Sequence, residues 1–247
     1  MAGAVRFLIN LREVSVLVWL VELANCEAGV VDWLSELAKY CMLVLEGLRN
    51  TLLIFAVTLV ISIPLGFLVA LGRLSKHGWL RKILGAYISI MRGTPLMLQL
   101  IAVLYLPSML FKIPMDRYLA AFIAFGINYA AYFGEIFRGG IQSIDRGQYE
   151  AASVLGFSKK QTFAHIILPQ TIKRVLPATA NEVITLVKDT SLAQVVAVVE
   201  MFTIAKQQMS ATGSVIPLLA AGIFYYILNL LVTLGFSYAE KKLSYYR

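Results

Sequence analysis

The sequence predicts an all-α integral membrane protein, a bundle of helices rather than a soluble domain. Hydrophobic residues make up 59% of the 247 residues and charged residues only 15%, whereas soluble domains average about 25% charged residues. The run 207–239 holds no charged side chain and exceeds the roughly 20 residues that a helix needs to cross a bilayer. The alternation of polar and apolar residues typical of a membrane barrel is absent. Helices are therefore expected, because they satisfy their own backbone hydrogen bonds in lipid.

The positive charge of the chain is distributed between the apolar runs. The net charge is +8, but the Lys and Arg residues do not gather on one predicted face. This pattern is typical of membrane-protein loops and argues against nucleic-acid binding. The two cysteines, Cys26 and Cys41, have neither a CxxC spacing nor a histidine at ligand spacing. We therefore expect no disulfide framework and no metal site.

Five runs with few charges predict five transmembrane helices. The second run is interrupted by Arg92, and the fourth carries three charged residues. At ~1.5 Å per helical residue the second run would be about 42 Å long, which is more than a straight crossing needs. Gly93 and Pro95 predict a kink or break within it. The five runs are 51–72, 83–111, 118–134, 175–199 and 207–239.

The loops between these spans predict the orientation of the chain. Loops on one side hold 13 of the 22 Lys and Arg residues, and loops on the other side hold 7. Since positive loops stay in the cytoplasm, the N-terminus is predicted to lie outside and the C-terminus inside. The longest polar connection, 139–174, is then cytoplasmic.

Residues 1–47 precede the first span and are predicted to form an N-terminal extension. Their apolar run, 14–23, is short for a span, which favours an interfacial helix. A cleaved signal peptide and a sixth span are the alternatives. No repeat or linker interrupts the remainder, so 48–247 are predicted to form one transmembrane domain.

The cytoplasmic connection contains an ordered pattern, EAA followed by a glycine and then by I-x-L-P. A short helix is predicted over 149–155, with Glu150 in its first turn and Gly156 at its end. Ser158 is placed to cap a second helix, 159–167, which Pro169 is expected to stop. Two short helices around a glycine corner predict a rigid cytoplasmic projection.

This loop resembles the EAA loop of the membrane subunits of ATP-binding-cassette (ABC) importers. The resemblance implies the type I importer permease fold and a coupling helix in which Glu150, Ala151, Ala152 and Gly156 contact an ATPase subunit. It also implies two such ATPase subunits, a second permease that is either a copy or a relative, and a substrate-binding protein. An ordinary amphipathic loop that packs on the bundle is the alternative.

Three further segments are similar to those of polar amino-acid permeases, the histidine, arginine, glutamine and glutamate type. The segments are YISIMRGTP from residue 87, YFGEIFRGG from residue 132 and LVKDTSL from residue 186. Within the second segment, Glu135 and Arg138 have the i, i+3 spacing of an intrahelical ion pair. The similarity extends from about residue 48 to residue 246, and residues 1–40 depart from the short N-terminus usual in that family.

Ionisable residues at bilayer depth predict a translocation path. Each costs at least ~2.5 kcal/mol to insert, so such residues are usually paired or functional. Arg92 lies about 14 Å into its span, and Lys188 and Asp189 lie about 20 Å into theirs. Asp189 would accept from a substrate ammonium, with Thr94 and Gln99 as further hydrogen-bonding groups; a structural pair of Arg92 with Asp189 is the alternative. The predicted substrate-binding residues are Arg92, Gly93, Thr94, Gln99, Glu182, Lys188, Asp189 and Ser191.

Taken together, these patterns predict the permease subunit of an ATP-driven importer of polar amino acids in a bacterial cytoplasmic membrane. Glu182 and Asp189 tilt the prediction toward cationic amino acids. The chain has no GxxxxGK[ST] loop and no catalytic set, so it is predicted to be no enzyme and to carry no cofactor, with ATP and Mg on the partner ATPase. The alternatives are an ion-coupled secondary carrier, an ABC permease for another small solute, and a membrane scaffold.

Overall fold

The computed structural model describes the backbone of residues 2–243 and the side chains of residues 31–243. This part of the chain contains α-helices and no strand. The helices are α1 (Ala2–Arg73), α2 (Gly78–Gly93), α3 (Leu96–Phe111), α4 (Arg117–Gln142), α5 (Arg146–Val154), α6 (Lys159–Gln161), α7 (Leu168–Asp189), α8 (Met201–Thr212) and α9 (Ile216–Leu243). A π-helical turn, Thr162–Ile167, joins α6 to α7, and a 3₁₀ turn, Thr190–Val196, follows α7.

The described helices form the predicted all-α membrane bundle. Three are long and apolar enough to cross a membrane, Val31–Arg73 within α1, then α4 and α9, and the bent pair of α2 and α3 makes a fourth if it counts as one span. The predicted span 175–199 corresponds to α7 and the 3₁₀ turn, which are the more polar part of the bundle.

The predicted break in the second span is confirmed. α2 ends at Gly93, α3 begins at Leu96, and the two axes differ by 110°. Thr94 and Pro95, between them, have extended backbone angles. Proline has no N–H to continue the ladder of α2, and it disfavours a helical conformation in the residue before it.

The predicted span 207–239 is wrong as a single helix. Its first residues belong to α8, which ends at Thr212, and the spanning helix α9 begins only at Ile216. Gly213 adopts φ +72 as the left-handed cap of α8. The Ser214 and Thr212 hydroxyls then accept hydrogen bonds from backbone N–H groups in the turn. An uncharged run therefore hid a helix boundary, because glycine and hydroxyl side chains end helices without any charge.

The loop helices follow the prediction except at Pro169. Helix α5 covers most of the predicted 149–155, Gly156 adopts φ +79, and Ser158 forms a capping box with Gln161. The chain does not stop at Pro169 but continues as α7. The preceding π turn accounts for this, because Leu168 N–H donates to the Phe163 carbonyl, five residues back. The wider turn lets the helical path continue through Pro169, which has no N–H to donate.

The predicted domain boundary at residue 47 lies within helix α1. Most of the predicted interfacial helix, residues 1–30, lies outside the described side chains. Further along the same helix, Tyr40 and Val44 are buried against Met201, Ala205 and Ala220 of α8 and α9. The division of the chain at residue 47 stays a prediction, and α1 runs through that point without interruption.

Helix α4 forms the centre of the bundle and places the site described below. Its glycines allow α1 to approach closely. A β-carbon at Gly134, for example, would lie only 2.7 Å from Val69 Cγ1 of α1. Asp116 caps its first turn by accepting from Leu119 N–H at 3.0 Å. Buried positions occur along most of α4, and they include two with polar side chains, Asn128 and Tyr129.

Candidate functional site

A cavity of about 100 Å³ lies where the bend between α2 and α3 meets α4 and α7. It collects polar groups from three separate parts of the sequence. Its lining residues are Thr94, Leu96, Asn128, Tyr129, Tyr132, Glu182, Thr185 and Asp189. The cavity therefore joins the predicted break in the second span to the charged face of α7.

Two carboxylates from α7 face this cavity. Glu182 and Asp189 are seven residues apart, close to two helical turns, so they lie on one face of the helix. Asp189 Oδ2 accepts a hydrogen bond from the Tyr129 hydroxyl at 2.8 Å. The cavity thus presents acceptors for a positively charged group, with one carboxylate already oriented by α4.

The guanidinium of Arg92 packs on the aromatic face of α4. Its Cζ lies 5.1 Å from the centre of the Tyr132 ring, within cation–π range. The described ion pairs do not include one between Arg92 and Asp189; they join Glu135 to Arg73 and to Arg138. The predicted intrahelical pair of Glu135 with Arg138 is confirmed at 2.6 Å.

The structure brings together some of the predicted substrate-binding residues and separates others. Thr94, Glu182 and Asp189 line the cavity. Arg92 and Gly93 form the last residues of α2 beside it. Gln99 turns to the bend, where its amide contacts Met91 and Thr94. Lys188 and Ser191 do not line the cavity. The Lys188 side chain is exposed on the isolated chain, and the Ser191 hydroxyl donates to the backbone carbonyl of Lys188.

Sequence reasoning missed the apolar lining residue Leu96 and four polar ones, Asn128, Tyr129, Tyr132 and Thr185. A signal was present for two of them. Asn128 is an amide inside an otherwise apolar span, and Thr185 lies on the helical face that Glu182 and Asp189 share. The tyrosines carried no such signal, because aromatic residues in spans serve packing as often as polar contacts.

A second buried carboxylate, Glu200, lies outside the cavity at the start of α8 and also escaped the sequence prediction. It is fully buried and accepts hydrogen bonds from Phe202 N–H, from the N–H and hydroxyl of Thr203, and from the Tyr225 hydroxyl. With so many donors this carboxylate serves as the N-cap of α8 and ties that helix to α9.

The predicted coupling residues lie on and beside α5. Glu150 and Ala151 are exposed, whereas Ala152 is buried. Val154 and Leu155 at the tip of this segment are 88% and 74% exposed. Exposed aliphatic side chains at a glycine corner are a surface that a partner can bury.

A groove of about 690 Å³ lies beside this projection, between it and the ends of α1 and α4. Tyr149 is among its lining residues, with Leu71, Leu74 and Ile141. Partial burial raises the pKa of the Tyr149 phenol above its ordinary value, so this residue stays neutral at physiological pH. Within residues 31–243, no group of three or more His, Cys, Asp or Glu side chains is placed to hold a metal ion.

Comparisons with known proteins agree on one kind of membrane component. The family model described as "Binding-protein-dependent transport system inner membrane component" matches residues 62–245. The arginine transport system permease protein ArtQ of Bacillus subtilis is 38% identical over 202 residues, which cover 81% of this chain and 92% of that protein. The L-cystine transport system permease protein TcyB of the same organism is 34% identical over 204 residues, covering 81% and 86%. A crystal structure of an amino acid ABC transporter with histidines matches with a TM-score of 0.77 and 32% identity, covering 85% of this chain and 98% of that one.

Proposed function

This chain belongs to the family of inner membrane components of binding-protein-dependent transport systems, and from that membership we propose how substrate passes through it. It is the permease component of an amino-acid ABC transport system, a transport subunit and not an enzyme. The proposal is that the cavity between the bend of α2 and α3, α4 and α7 holds the amino acid during translocation.

One observation carries this proposal: the cavity gathers polar groups that are far apart in the sequence. Thr94 comes from the broken second span, whereas Glu182 and Asp189 come from α7. Broken helices at such sites present free backbone groups as well as side chains. Polar groups within an apolar bundle are costly to bury, so their convergence on one cavity supports a polar ligand.

The chemistry of the lining supports a polar amino acid, with a preference for cationic ones. The two carboxylates provide acceptors for an ammonium or guanidinium group. Tyr132 adds a phenolic hydroxyl to the lining, and Arg92 at the edge of the cavity supplies a cation for the substrate carboxylate. An arginine permease among the relatives agrees with this substrate class.

The transport energy comes, in this proposal, from two ATPase subunits that bind ATP and Mg and contact α5. Glu150, Ala151, Ala152 and Gly156 form the coupling segment. A second permease completes the translocation path, and a substrate-binding protein delivers the amino acid. The match to an amino acid ABC transporter at 32% identity supports this ATP-driven mechanism over an ion-coupled carrier.

The chain is an inner membrane component. We place its N-terminus outside and its C-terminus in the cytoplasm, on the basis of the Lys and Arg distribution. This orientation puts α5 on the side where ATP is available.

Replacement of Asp189 tests the proposed path. Asp189→Asn keeps the size of the side chain and removes the charge that would face a substrate ammonium. Proteoliposomes that hold the permease, its ATPase and ATP are supplied with the substrate-binding protein and labelled L-arginine. Uptake is expected to fall at least about tenfold, since a hydrogen bond to a charged group contributes ~1.5–3 kcal/mol. The amount of ATPase that co-purifies with the permease should stay the same.

Asp32→Asn is the matched control, because this carboxylate on α1 is exposed and remote from the cavity. It should transport as the unaltered chain does. Undiminished uptake by Asp189→Asn would remove the cavity from the translocation path.

A further inference from the structure

The bend between α2 and α3 leaves backbone carbonyls at the end of α2 that no helical N–H can reach. Met91 and Thr94 are two such residues, since α2 ends at Gly93 and the next helix turns away by 110°. In the apolar part of a membrane these carbonyls need other donors. The structure supplies them from side chains.

Two side-chain amides provide the missing donors. Gln99 Nε2 donates to the Met91 carbonyl at 3.0 Å, to the Thr94 carbonyl at 3.2 Å and to Thr94 Oγ1 at 2.8 Å. Asn128 Nδ2 of α4 donates to the Met91 carbonyl at 3.1 Å. The Thr94 hydroxyl in turn donates to the Ile90 carbonyl at 2.8 Å. The end of α2 is thus held by groups from both α3 and α4.

The two amides also orient each other. Asn128 Nδ2 donates to Gln99 Oε1 at 2.9 Å. Because that oxygen is engaged by α4, the nitrogen of Gln99 must face the bend. Asn128 is only 3% exposed, so its amide is shielded from bulk water. We name the pair of Gln99 and Asn128 the amide bracket.

The amide bracket connects the bend to the wall of the cavity. Asn128 is followed on α4 by Tyr129, which holds Asp189, and Tyr132, on which Arg92 packs. The bracket therefore sets where Thr94 and Arg92 stand relative to the two carboxylates of α7. Gln99 is not part of the cavity lining and can act only through the groups it holds. Asn128 does lie in the lining, and its amide nitrogen is engaged by the Met91 carbonyl and by Gln99.

We propose that Gln99 and Asn128 are positioning residues for substrate binding, which keep the bent span in the geometry that the amino acid requires. This proposal rests on the cavity being the substrate site. Binding sites gain affinity when neighbouring groups hold their polar groups in place before the ligand arrives. Removal of either amide should make the bend mobile and weaken substrate binding, although Thr94 and Asp189 themselves remain in place to contact the substrate.

The test compares Asn128→Ala, Gln99→Ala and the double variant with Leu100→Ala. Leu100 follows Gln99 on α3 and is fully buried in the core, so its truncation destabilises the same helix and leaves the bracket intact. The Kd of labelled L-arginine and the thermal midpoint are measured on the purified complex of permease and ATPase. Each single bracket variant should raise the Kd about tenfold. The double variant should raise it no further, because both amides act on one bend; Leu100→Ala should lower the thermal midpoint and keep the Kd within about twofold.

The proposal is overturned if the bracket variants bind arginine as the unaltered chain does. It is equally overturned if Leu100→Ala raises the Kd as much as the bracket variants do, so that affinity is lost in step with the thermal midpoint, or if the two single effects add. If Asn128→Ala does not assemble, the test compares the Kd of Gln99→Ala with that of Leu100→Ala. Gln99 is half-buried, so its truncation is the milder of the two bracket changes. A complex of the unaltered chain that binds neither arginine nor any other polar amino acid contradicts the proposed substrate site itself, which is a different result from binding that the bracket variants leave unchanged.

Discussion

Within residues 31–243, two tyrosine–carboxylate contacts have different roles, and their surroundings explain why. Tyr225 donates to Glu200 at 2.7 Å, and that carboxylate accepts further donors from the start of α8. Tyr129 donates to Asp189 at 2.8 Å, the one hydrogen bond described for this side chain. Asp189 also faces the cavity, whereas Glu200 is fully buried. A carboxylate with spare acceptor capacity at a cavity is available to a ligand, and a saturated one holds structure together.

Tyr129→Phe should therefore weaken substrate binding. The ring still packs against Phe133, whose centre is 6.2 Å away, but the hydroxyl that orients Asp189 is lost. Because a hydrogen bond to a charged group contributes ~1.5–3 kcal/mol, the Kd of labelled L-arginine for the permease–ATPase complex should rise about ten- to hundredfold. Equilibrium binding to the purified complex measures it.

Tyr225→Phe is the control with the same chemical change. It removes a hydroxyl from a buried carboxylate that lies away from the cavity. We expect a lower thermal midpoint and an unchanged Kd. Equal losses of affinity in both variants would mean that Asp189 and Glu200 do not differ in role.

At the scale of the elements, glycines decide where helices approach and where they turn. On α4, Gly140 could not carry a β-carbon, which would lie 2.1 Å from Val175 Cγ1 of α7. At the corner after α5, Gly156 has φ +79, a conformation that residues with a β-carbon adopt at a cost. Gly140 therefore allows α4 and α7 to pack closely, and Gly156 sets the direction in which the chain leaves α5.

Gly156→Val should disturb the coupling segment more than the bundle. A β-branched residue at this positive φ costs of the order of 1–3 kcal/mol, which the exposed corner relieves by changing its backbone path. The ATPase that co-purifies with the permease should fall severalfold, whereas detergent-resistant folding of the bundle should be retained. Quantitative co-purification and a thermal melt measure the two effects.

Gly78→Ala serves as the comparison, since this glycine begins α2, has open space around it and has no positive φ. It should retain the ATPase fully. A Gly156→Val permease that binds the ATPase as well as Gly78→Ala does would contradict the role assigned to the corner.

At the scale of the whole molecule, helix α4 connects two grooves that lie at its opposite ends. The groove beside α5 includes Gln142 at the end of α4, and a second groove, of about 680 Å³, includes Arg117 at its beginning. A helix of 26 residues spans about 39 Å, which exceeds the ~30 Å of a bilayer core. The two grooves therefore lie at opposite ends of a helix that is long enough to cross the membrane.

The orientation predicted from positive loops is tested with single cysteines. In a chain whose Cys26 and Cys41 are replaced by serine, Ser153→Cys lies on the side of α5 and Thr212→Cys lies at the opposite end, where α8 ends. A membrane-impermeant maleimide added to intact cells should label Thr212→Cys and spare Ser153→Cys until the membrane is opened. The reverse pattern would place α5 outside and exclude its contact with an ATPase.

The sequence by itself determined the features that depend on neighbouring residues. Apolar runs predicted the membrane bundle, Gly93 and Pro95 predicted the break in the second span, and Gly156 and Ser158 predicted the loop corner. Each depends on local physics: the transfer of a segment into lipid, a missing N–H, a positive φ or a cap. Where local signals competed, the prediction failed, as at Pro169, which a π turn accommodates.

Only the tertiary structure decided which side chains share the cavity. Asn128, Tyr129 and Tyr132 meet the α7 carboxylates because α4 packs between the bent span and α7. The same packing places the Gln99 amide against Met91 and Asn128 and leaves it out of the cavity lining. Spacing along one helix predicts which residues share its face, but the meeting of faces from different helices depends on side-chain shapes across the whole bundle.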